Sequence, residues 1–185
     1  MRICVFCGSS DGTKPAYREA ARTVARELAA RGIGIVYGGG RVGCMGALAD
    51  AGLAAGGEVI GVIPRALEER EIAHRELSAL HIVQTMHERK AVMADLSVAF
   101  LALPGGFGTL EELFETITWR QLGIHDKPSA VLNVDGYYDT LVAFCDLAAK
   151  DGFIRSSDRD AVLSGVEIAP LLDALLERVK AGRSN

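Results

Sequence analysis

The chain has 185 residues, of which 49% are hydrophobic and 24% are charged, and its formal net charge is −4. This composition is typical of one folded domain and excludes a disordered or low-complexity chain. The negative charge and the scattered basic residues argue against nucleic acid as a partner. The longest apolar run, 96–104, is far shorter than the about 20 residues that cross a bilayer, so we predict no membrane partner. Because no secretory signal pattern is present, we expect a cytoplasmic protein.

Short apolar runs alternate with amphipathic segments along the chain. The runs that predict strands are Ile3–Cys7, Ile33–Tyr37, Val59–Ile63, His81–Thr85, Val98–Leu103 and Ala130–Val134. Helices are predicted from Pro15 to a stop at Gly32, and at Gly43–Ala55, Arg89–Asp95, Thr109–Leu122, Tyr138–Lys150 and Pro170–Lys180. Strands with nearly continuous apolar runs indicate a parallel sheet with helices on both faces. We predict an α/β fold, a Rossmann-like doubly wound parallel sheet in a single domain, 1–185.

The four cysteines, Cys4, Cys7, Cys44 and Cys145, are interpreted as reduced thiols and not as a disulfide framework. Cys4 and Cys7 form a C-x-x-C, but side chains three apart on a strand point to opposite faces. This favours two buried, small apolar side chains over a metal or dithiol site, and the four histidines show no metal-ligand spacing. We therefore predict no metal.

Glycine-rich turns follow the first, second and fifth predicted strands. They are Gly8-Ser9-Ser10, the run 38–46, and Pro104-Gly105-Gly106-Phe107-Gly108-Thr109. If the strands are parallel, these turns share one edge, where bare N–H groups and helix starts suit a phosphate. The second turn matches the dinucleotide spacing G-x-G-x-x-G but follows the wrong strand, so tight packing and ligand contact both stay open for it. The chain has no Gly-Lys pair, which excludes a Walker A loop.

The helix after the fifth strand carries Glu111 and Glu112 near its start. Thr109-x-x-Glu112 fits a capping box, in which both side chains would only satisfy N–H groups of the helix. Glu111 is harder to explain in this way, because the apolar stripe of the helix lies on another face. Glu111 and Thr118 are two turns apart and could line a cleft together.

Three longer motifs combine these turns with their neighbours. They are Gly38-Gly39-Gly40-x-x-Gly43-x-Met45-Gly46, Met86-His87-x-Arg89-Lys90 and Pro104-Gly105-Gly106-x-Gly108-Thr109-x-x-Glu112. Together they resemble the Lonely Guy family of cytokinin-activating phosphoribohydrolases. The resemblance implies hydrolysis of the N-glycosidic bond of a nucleoside 5′-monophosphate, such as N6-prenylated AMP or AMP, to free base and ribose 5-phosphate. It also implies a homodimer, and we predict no cofactor.

The resemblance assigns catalysis to two residues. Glu112 is expected to stabilise the positive charge that develops on the ribose and to orient or deprotonate water. Arg89 is expected to position the substrate or to stabilise the departing base. Without the motif, Arg89 and Lys90 would be interpreted as a solvated charged face.

Substrate binding is assigned by the same resemblance. The N–H groups of Gly105, Gly106 and Gly108, with the Thr109 hydroxyl, are expected to hold the phosphate. Two carboxylates of the same helix turn would repel a phosphate, so they are expected to point toward the sugar. Further substrate contacts are Glu71, Arg89, Lys90, Phe107, Leu110, Glu111 and Thr118. For Glu71, an exposed helical turn is the competing interpretation.

Other classes of function fit parts of the sequence. A non-catalytic nucleotide or molybdenum-cofactor carrier of the same superfamily would share the fold, but it would not need Glu112 and Arg89 together. An NAD-dependent oxidoreductase depends on the second glycine turn alone. The older label of lysine decarboxylase is rejected, because that reaction ordinarily needs a cofactor such as pyridoxal phosphate and no lysine is marked as a Schiff-base residue.

Overall fold

A computed structural model of the protein describes residues 1–68 and 72–182. The strands in these residues form one parallel sheet. Its strands are β1 (Arg2–Phe6), β2 (Gly34–Tyr37), β3 (Val59–Pro64), β4 (Ala79–Val83), β5 (Ala99–Ala102), β6 (Ser129–Leu132) and β7 (Val162–Gly165). Their order across the sheet is β4-β3-β2-β1-β5-β6-β7. The chain thus runs outward from β1 to one edge, returns to β5, and runs to the other edge. This doubly wound order confirms the predicted fold class.

Helices cover both faces of the sheet. They are α1 (Pro15–Ala30), α2 (Gly43–Ala54), α3 (Met86–Asp95), α4 (Phe107–Gln121), α5 (Asp139–Lys150), α6 (Ser156–Asp160) and α7 (Ile168–Gly182). One apolar core lies beneath α1, α2 and α7, and a second lies beneath α3, α4 and the start of α5. Side chains of β1 alternate between the two cores, as a strand buried on both faces requires. No helix in the described ranges is long and apolar enough to span a membrane.

The structure contains the six predicted strands and two elements, β7 and α6, that the sequence pattern does not predict. β7 is a short edge strand, mostly half-buried, so it lacks an apolar run. β4 lies two residues earlier than predicted because the next residues cap α3. Thr85 Oγ1 accepts the N–H of Glu88 at 3.1 Å, and the Glu88 carboxylate accepts the N–H of Gln84 at 2.7 Å.

Cys4 and Cys7 lie on opposite faces of the sheet, as predicted. Cys4 belongs to the core beneath α3 and Cys7 to the core beneath α1. Burial raises the pKa of both thiols well above the usual value, and the charge of Glu112 adds to the effect. Both are therefore protonated at neutral pH and pack as small apolar residues.

His125, in the turn after α4, is a histidine that folding keeps neutral. Its ring contacts Phe100 and Trp119, and its Nδ1 accepts the N–H of Lys127 at 3.2 Å. Its buried Nε2 has no hydrogen-bond partner in the described chain. Burial lowers the pKa of His125 below its usual 6.5, and the Lys127 charge acts in the same direction. The unfolded chain therefore takes up this proton first as pH falls, so stability declines below about pH 6.5.

We expect His125→Asn to remove this part of the acid sensitivity, because Asn keeps a hydrogen-bond acceptor but does not ionise. Between about pH 7.5 and pH 5, the free energy of unfolding should fall further for the wild type than for the variant. Urea unfolding at the two pH values measures the difference. An equal fall in both proteins would contradict this account of His125.

Candidate active site

A cavity of about 260 Å³ lies where the chain leaves β1 and β5. These strands are neighbours in the sheet, but they lead to helices on opposite faces. Such a switch point is where open α/β sheets bind ligands. Of the predicted site residues, the cavity is lined by Arg89, Gly106, Phe107, Gly108, Thr109, Glu111 and Glu112.

The start of α4 forms one wall of this cavity. The helix begins at Phe107, two residues earlier than predicted, and its N-cap is Gly106. No side chain of the described chain caps it. The capping box is therefore not formed: Thr109 is a buried residue of the first turn, and Glu112 lies in the second turn. Because glycine cannot cap with a side chain, N–H groups at the start of α4 remain available to an anion.

The turn between β5 and α4 is held in place by hydrogen bonds to its carbonyl groups. Three consecutive carbonyls accept hydrogen bonds from groups outside the turn. Tyr138 Oη donates to Leu103 at 2.6 Å, the N–H of Gly8 donates to Pro104 at 3.2 Å, and Tyr137 Oη donates to Gly105 at 2.5 Å. A Cβ on Gly105 would overlap Thr109 Oγ1, so only glycine fits there without a shift.

Arg89 of α3 is buried, with 4% of its surface exposed, and it lines the cavity. Its Nε donates to the Val62 carbonyl at 3.0 Å and its Nη2 to the Gly38 carbonyl at 2.6 Å. These acceptors lie in β3 and directly after β2. The guanidinium is therefore fixed by the main chain of two strands, which excludes a solvated charged face for Arg89.

Lys90 is also buried, but it does not line the cavity; it contacts Glu111, which does. Its Nζ donates to Glu111 Oε1 and, at 3.0 Å, to Glu115 Oε1. Burial alone would lower the pKa of Lys90, but the hydrogen bonds and charges of the two carboxylates outweigh it and raise the pKa above the usual 10.5. Lys90 thereby neutralises one of the two carboxylates expected to repel a phosphate.

We expect Lys90→Met to lower the free energy of unfolding by about 1–3 kcal/mol, because Glu115 would stay half-buried without its cation. Folded Lys90 holds its proton more tightly than the unfolded chain does. The stabilisation is therefore complete below about pH 10.5 and is lost as pH rises further. Urea unfolding at about pH 8 and pH 11 should show a smaller difference between wild type and variant at the higher pH.

The control for this substitution is Lys150→Met at the exposed end of α5. It should change the free energy of unfolding by less than about 0.5 kcal/mol at either pH. A Lys90→Met protein as stable as this control would show that the ion pairs of Lys90 contribute nothing to stability.

Two other predicted residues lie away from the cavity wall. Leu110 packs against the core beneath α3 and α4. Thr118 lines a separate, apolar cavity of about 180 Å³ between α4 and α5, and its hydroxyl donates to the Phe114 carbonyl at 2.7 Å. Glu111 and Thr118 thus line two different cavities of the described chain, although both are on α4. Glu71 lies outside the described residues.

The second glycine turn is occupied by protein contacts. Gly39 has a φ of +78° and packs against β3, and a Cβ on Gly43 would overlap the backbone of Ser9 and Ser10. The N–H groups that begin α2 donate to the loop after β1, Cys44 to the Ser10 carbonyl at 3.4 Å and Met45 to the Gly8 carbonyl at 3.3 Å. Gly39 and Gly43 therefore serve close packing, while Gly38 and Met45 of the same turn line the cavity. The glycine spacing by itself thus gives little support to the NAD-dependent interpretation.

Several cavity residues were not among the predicted site residues. They are chiefly Phe6, Cys7, Gly8, Ser9, Gly38, Met45, Leu67 and Met86. The glycine turns after β1 and β2 carry a signal for some of them, since both turns end at the same edge of the sheet. The apolar members carry no comparable signal, because an apolar residue at a strand end is equally expected in a core.

Comparison with known proteins identifies the family. A family described as "Possible lysine decarboxylase" matches residues 45–175. The probable cytokinin riboside 5′-monophosphate phosphoribohydrolase LOGL3 of Oryza sativa subsp. japonica is 53% identical over 178 residues, which cover 96% of this chain and 84% of the relative. The chain belongs to this phosphoribohydrolase family. The resemblance seen in its sequence motifs is thereby confirmed.

Further members of the phosphoribohydrolase family match over nearly the whole chain. LOG5 of Arabidopsis thaliana is 51% identical over 180 residues, covering 97% of this chain and 77% of the relative. Among solved structures, the molybdenum cofactor carrier protein of Chlamydomonas reinhardtii has a TM-score of 0.72 at 20% identity, covering 97% of this chain and 98% of that chain. The molybdenum cofactor binding protein of Rippkaea orientalis has a TM-score of 0.72 at 19% identity, with coverage of 97% and 96%. These structures share the fold.

Proposed function

We propose that the protein hydrolyses the N-glycosidic bond of an adenosine 5′-monophosphate, plain or N6-substituted, to the free base and ribose 5-phosphate. The observation that carries this proposal is one cavity that combines an uncapped helix start, a carboxylate and a buried arginine. An anion-binding helix start suits the phosphate, and the carboxylate suits the sugar. The names of relatives about half identical to this chain support the same reaction.

The phosphate is assigned to the start of α4. Gly106, Gly108 and Thr109 line the cavity there, and Gly105 precedes them in the chain. Their N–H groups and the Thr109 hydroxyl are the proposed phosphate ligands. The positive end of the helix dipole favours a dianion at this point. Phe107 projects from the same turn with 93% of its surface exposed, in a position to cover a bound substrate.

Glu112 is assigned to the reacting carbon. As the bond between C1′ and the base breaks, positive charge develops on the ribose, and a carboxylate beside it lowers the barrier. The same carboxylate can orient a water molecule or take its proton, which leaves a hydroxyl on C1′. Glu111, whose charge Lys90 balances, is assigned to the ribose hydroxyls.

Arg89 is assigned to the departing base. The bonding electrons of the broken bond move onto the purine, and a fixed guanidinium stabilises that charge until the base is protonated. Glu71 and Thr118 complete the proposed substrate contacts, Thr118 from the neighbouring cavity. No metal or cofactor is part of this proposal.

We also propose that the protein acts as a homodimer in the cytoplasm. Exposed apolar side chains lie on α5 and in the turns that follow α4 and α5, and a second copy of the chain would cover them. They are Leu122, Ile124, Phe144, Leu147 and Phe153. The cysteines are free thiols, the state that a reducing compartment maintains.

The proposed reaction is tested by chromatography of the purified protein with AMP, with isopentenyladenosine 5′-monophosphate and with the corresponding nucleoside. We expect free base from the two monophosphates and none from the nucleoside, because the phosphate supplies the anchoring. The ratio of the two rates ranks the substrates. Tight nucleotide binding without release of base would replace the proposal with a carrier function.

A further inference from the structure

Tyr137 lies outside the cavity wall, at the end of the short 3₁₀ turn Val134–Gly136, but it is hydrogen-bonded to the turn that would hold the phosphate. Its ring packs edge-on against Tyr17, with 5.4 Å between ring centroids, and against Tyr138 at 5.1 Å. These contacts fix the ring, so the hydroxyl meets the Gly105 carbonyl from one direction.

We propose that Tyr137 is a positioning residue for phosphate binding, which holds the Gly105 carbonyl away from the cavity and so directs the Gly106 N–H into it. The inference rests on the proposed function. In a trans peptide the C=O and the following N–H point in opposite directions, and the described chain has no cis peptide. A carbonyl bound to Tyr137 therefore leaves the Gly106 N–H on the opposite side, and Gly106 lines the cavity.

The peptide between Gly105 and Gly106 needs such a restraint more than its neighbours do. Two consecutive glycines have wide access to backbone conformations, so this peptide could rotate and turn an oxygen toward the phosphate. Tyr138 and Gly8 hold only the two preceding carbonyls. Tyr137 is the group that holds the third among the described residues.

The test is Tyr137→Phe, which keeps the ring contacts and removes the hydroxyl. With AMP as substrate, we expect KM to rise about five- to tenfold while kcat stays within about twofold, because one hydrogen bond that orients a binding group is lost. The inhibition constant of inorganic phosphate should rise by the same factor. Tyr17→Phe removes the same atom from the adjacent ring and should leave all three constants unchanged.

An unchanged KM and an unchanged phosphate inhibition constant in Tyr137→Phe would overturn the proposal, as would a fall in kcat at constant KM. If the wild type releases no base, the proposed function fails, and calorimetric titration with inorganic phosphate tests the positioning role by itself. Weaker binding to Tyr137→Phe than to wild type and Tyr17→Phe would support it, and equal binding would overturn it.

Discussion

Glu112→Gln should abolish most turnover while leaving the protein folded. The substitution keeps the size of the side chain and removes its charge. If Glu112 stabilises the ribose cation and activates water, kcat should fall by about 10²–10⁴-fold. KM for AMP should change little, because the phosphate contacts remain. Steady-state assays of base release measure both constants, and thermal unfolding checks the fold.

Two further variants sharpen this test. Glu111→Gln lies one residue away in the same cavity and should raise KM more than it lowers kcat, since Glu111 is assigned to binding. Glu177→Gln lies on the exposed face of α7, in a surface pair with Lys180, and should behave as wild type. If Glu112→Gln retains turnover within tenfold of wild type, another group carries the chemistry.

Gly38→Ala should disable the site through Arg89. A Cβ at this position would overlap Arg89 Nη2 and would lie 3.1 Å from Met45 Sδ. The guanidinium would have to leave the Gly38 carbonyl, to which it donates at 2.6 Å. Because displacement of a catalytic group by about 1 Å can cost about 100-fold in rate, we expect kcat to fall by about 10–100-fold. Overpacking should also cost about 1–3 kcal/mol of stability.

Gly34→Ala, at the start of β2, is the matched control for Gly38, which directly follows that strand. There the nearest atom to a new Cβ is Glu58 Oε2, at the flexible end of a side chain that can move aside. This variant should keep kcat within about twofold of wild type. A folded Gly38→Ala protein with wild-type kcat would show that the position of Arg89 is not critical.

The sequence predicts the sheet and the cavity edge because both follow from local patterns. Apolar runs mark the strands, and parallel pairing places the turns after β1 and β5 side by side. The sequence pattern places the start of α4 two residues late, since Gly106-Phe107-Gly108 has low helix propensity. The helix begins there because neighbouring loops hold the turn, among them Gly8, whose N–H binds the Pro104 carbonyl.

The sequence pattern does not predict the different contacts of Arg89 and Lys90. Arg89 and Lys90 are neighbours in one motif, but successive side chains on a helix point about 100° apart. Arg89 consequently reaches the strand ends, while Lys90 turns to the carboxylates of α4. Which direction each takes depends on where α3 lies relative to α4, and that packing has no counterpart in the sequence pattern.

The buried ion pair between Lys90 and Glu115 joins α3, which carries Arg89, to α4, which carries Glu112. Salt weakens exposed pairs, such as Arg26 with Glu19, but screens buried charges much less. The separation of the two proposed catalytic groups should therefore be nearly independent of ionic strength. Salt would act instead on the open helix start, where it competes with the phosphate, so the enzyme would lose affinity in concentrated salt before it loses its catalytic geometry.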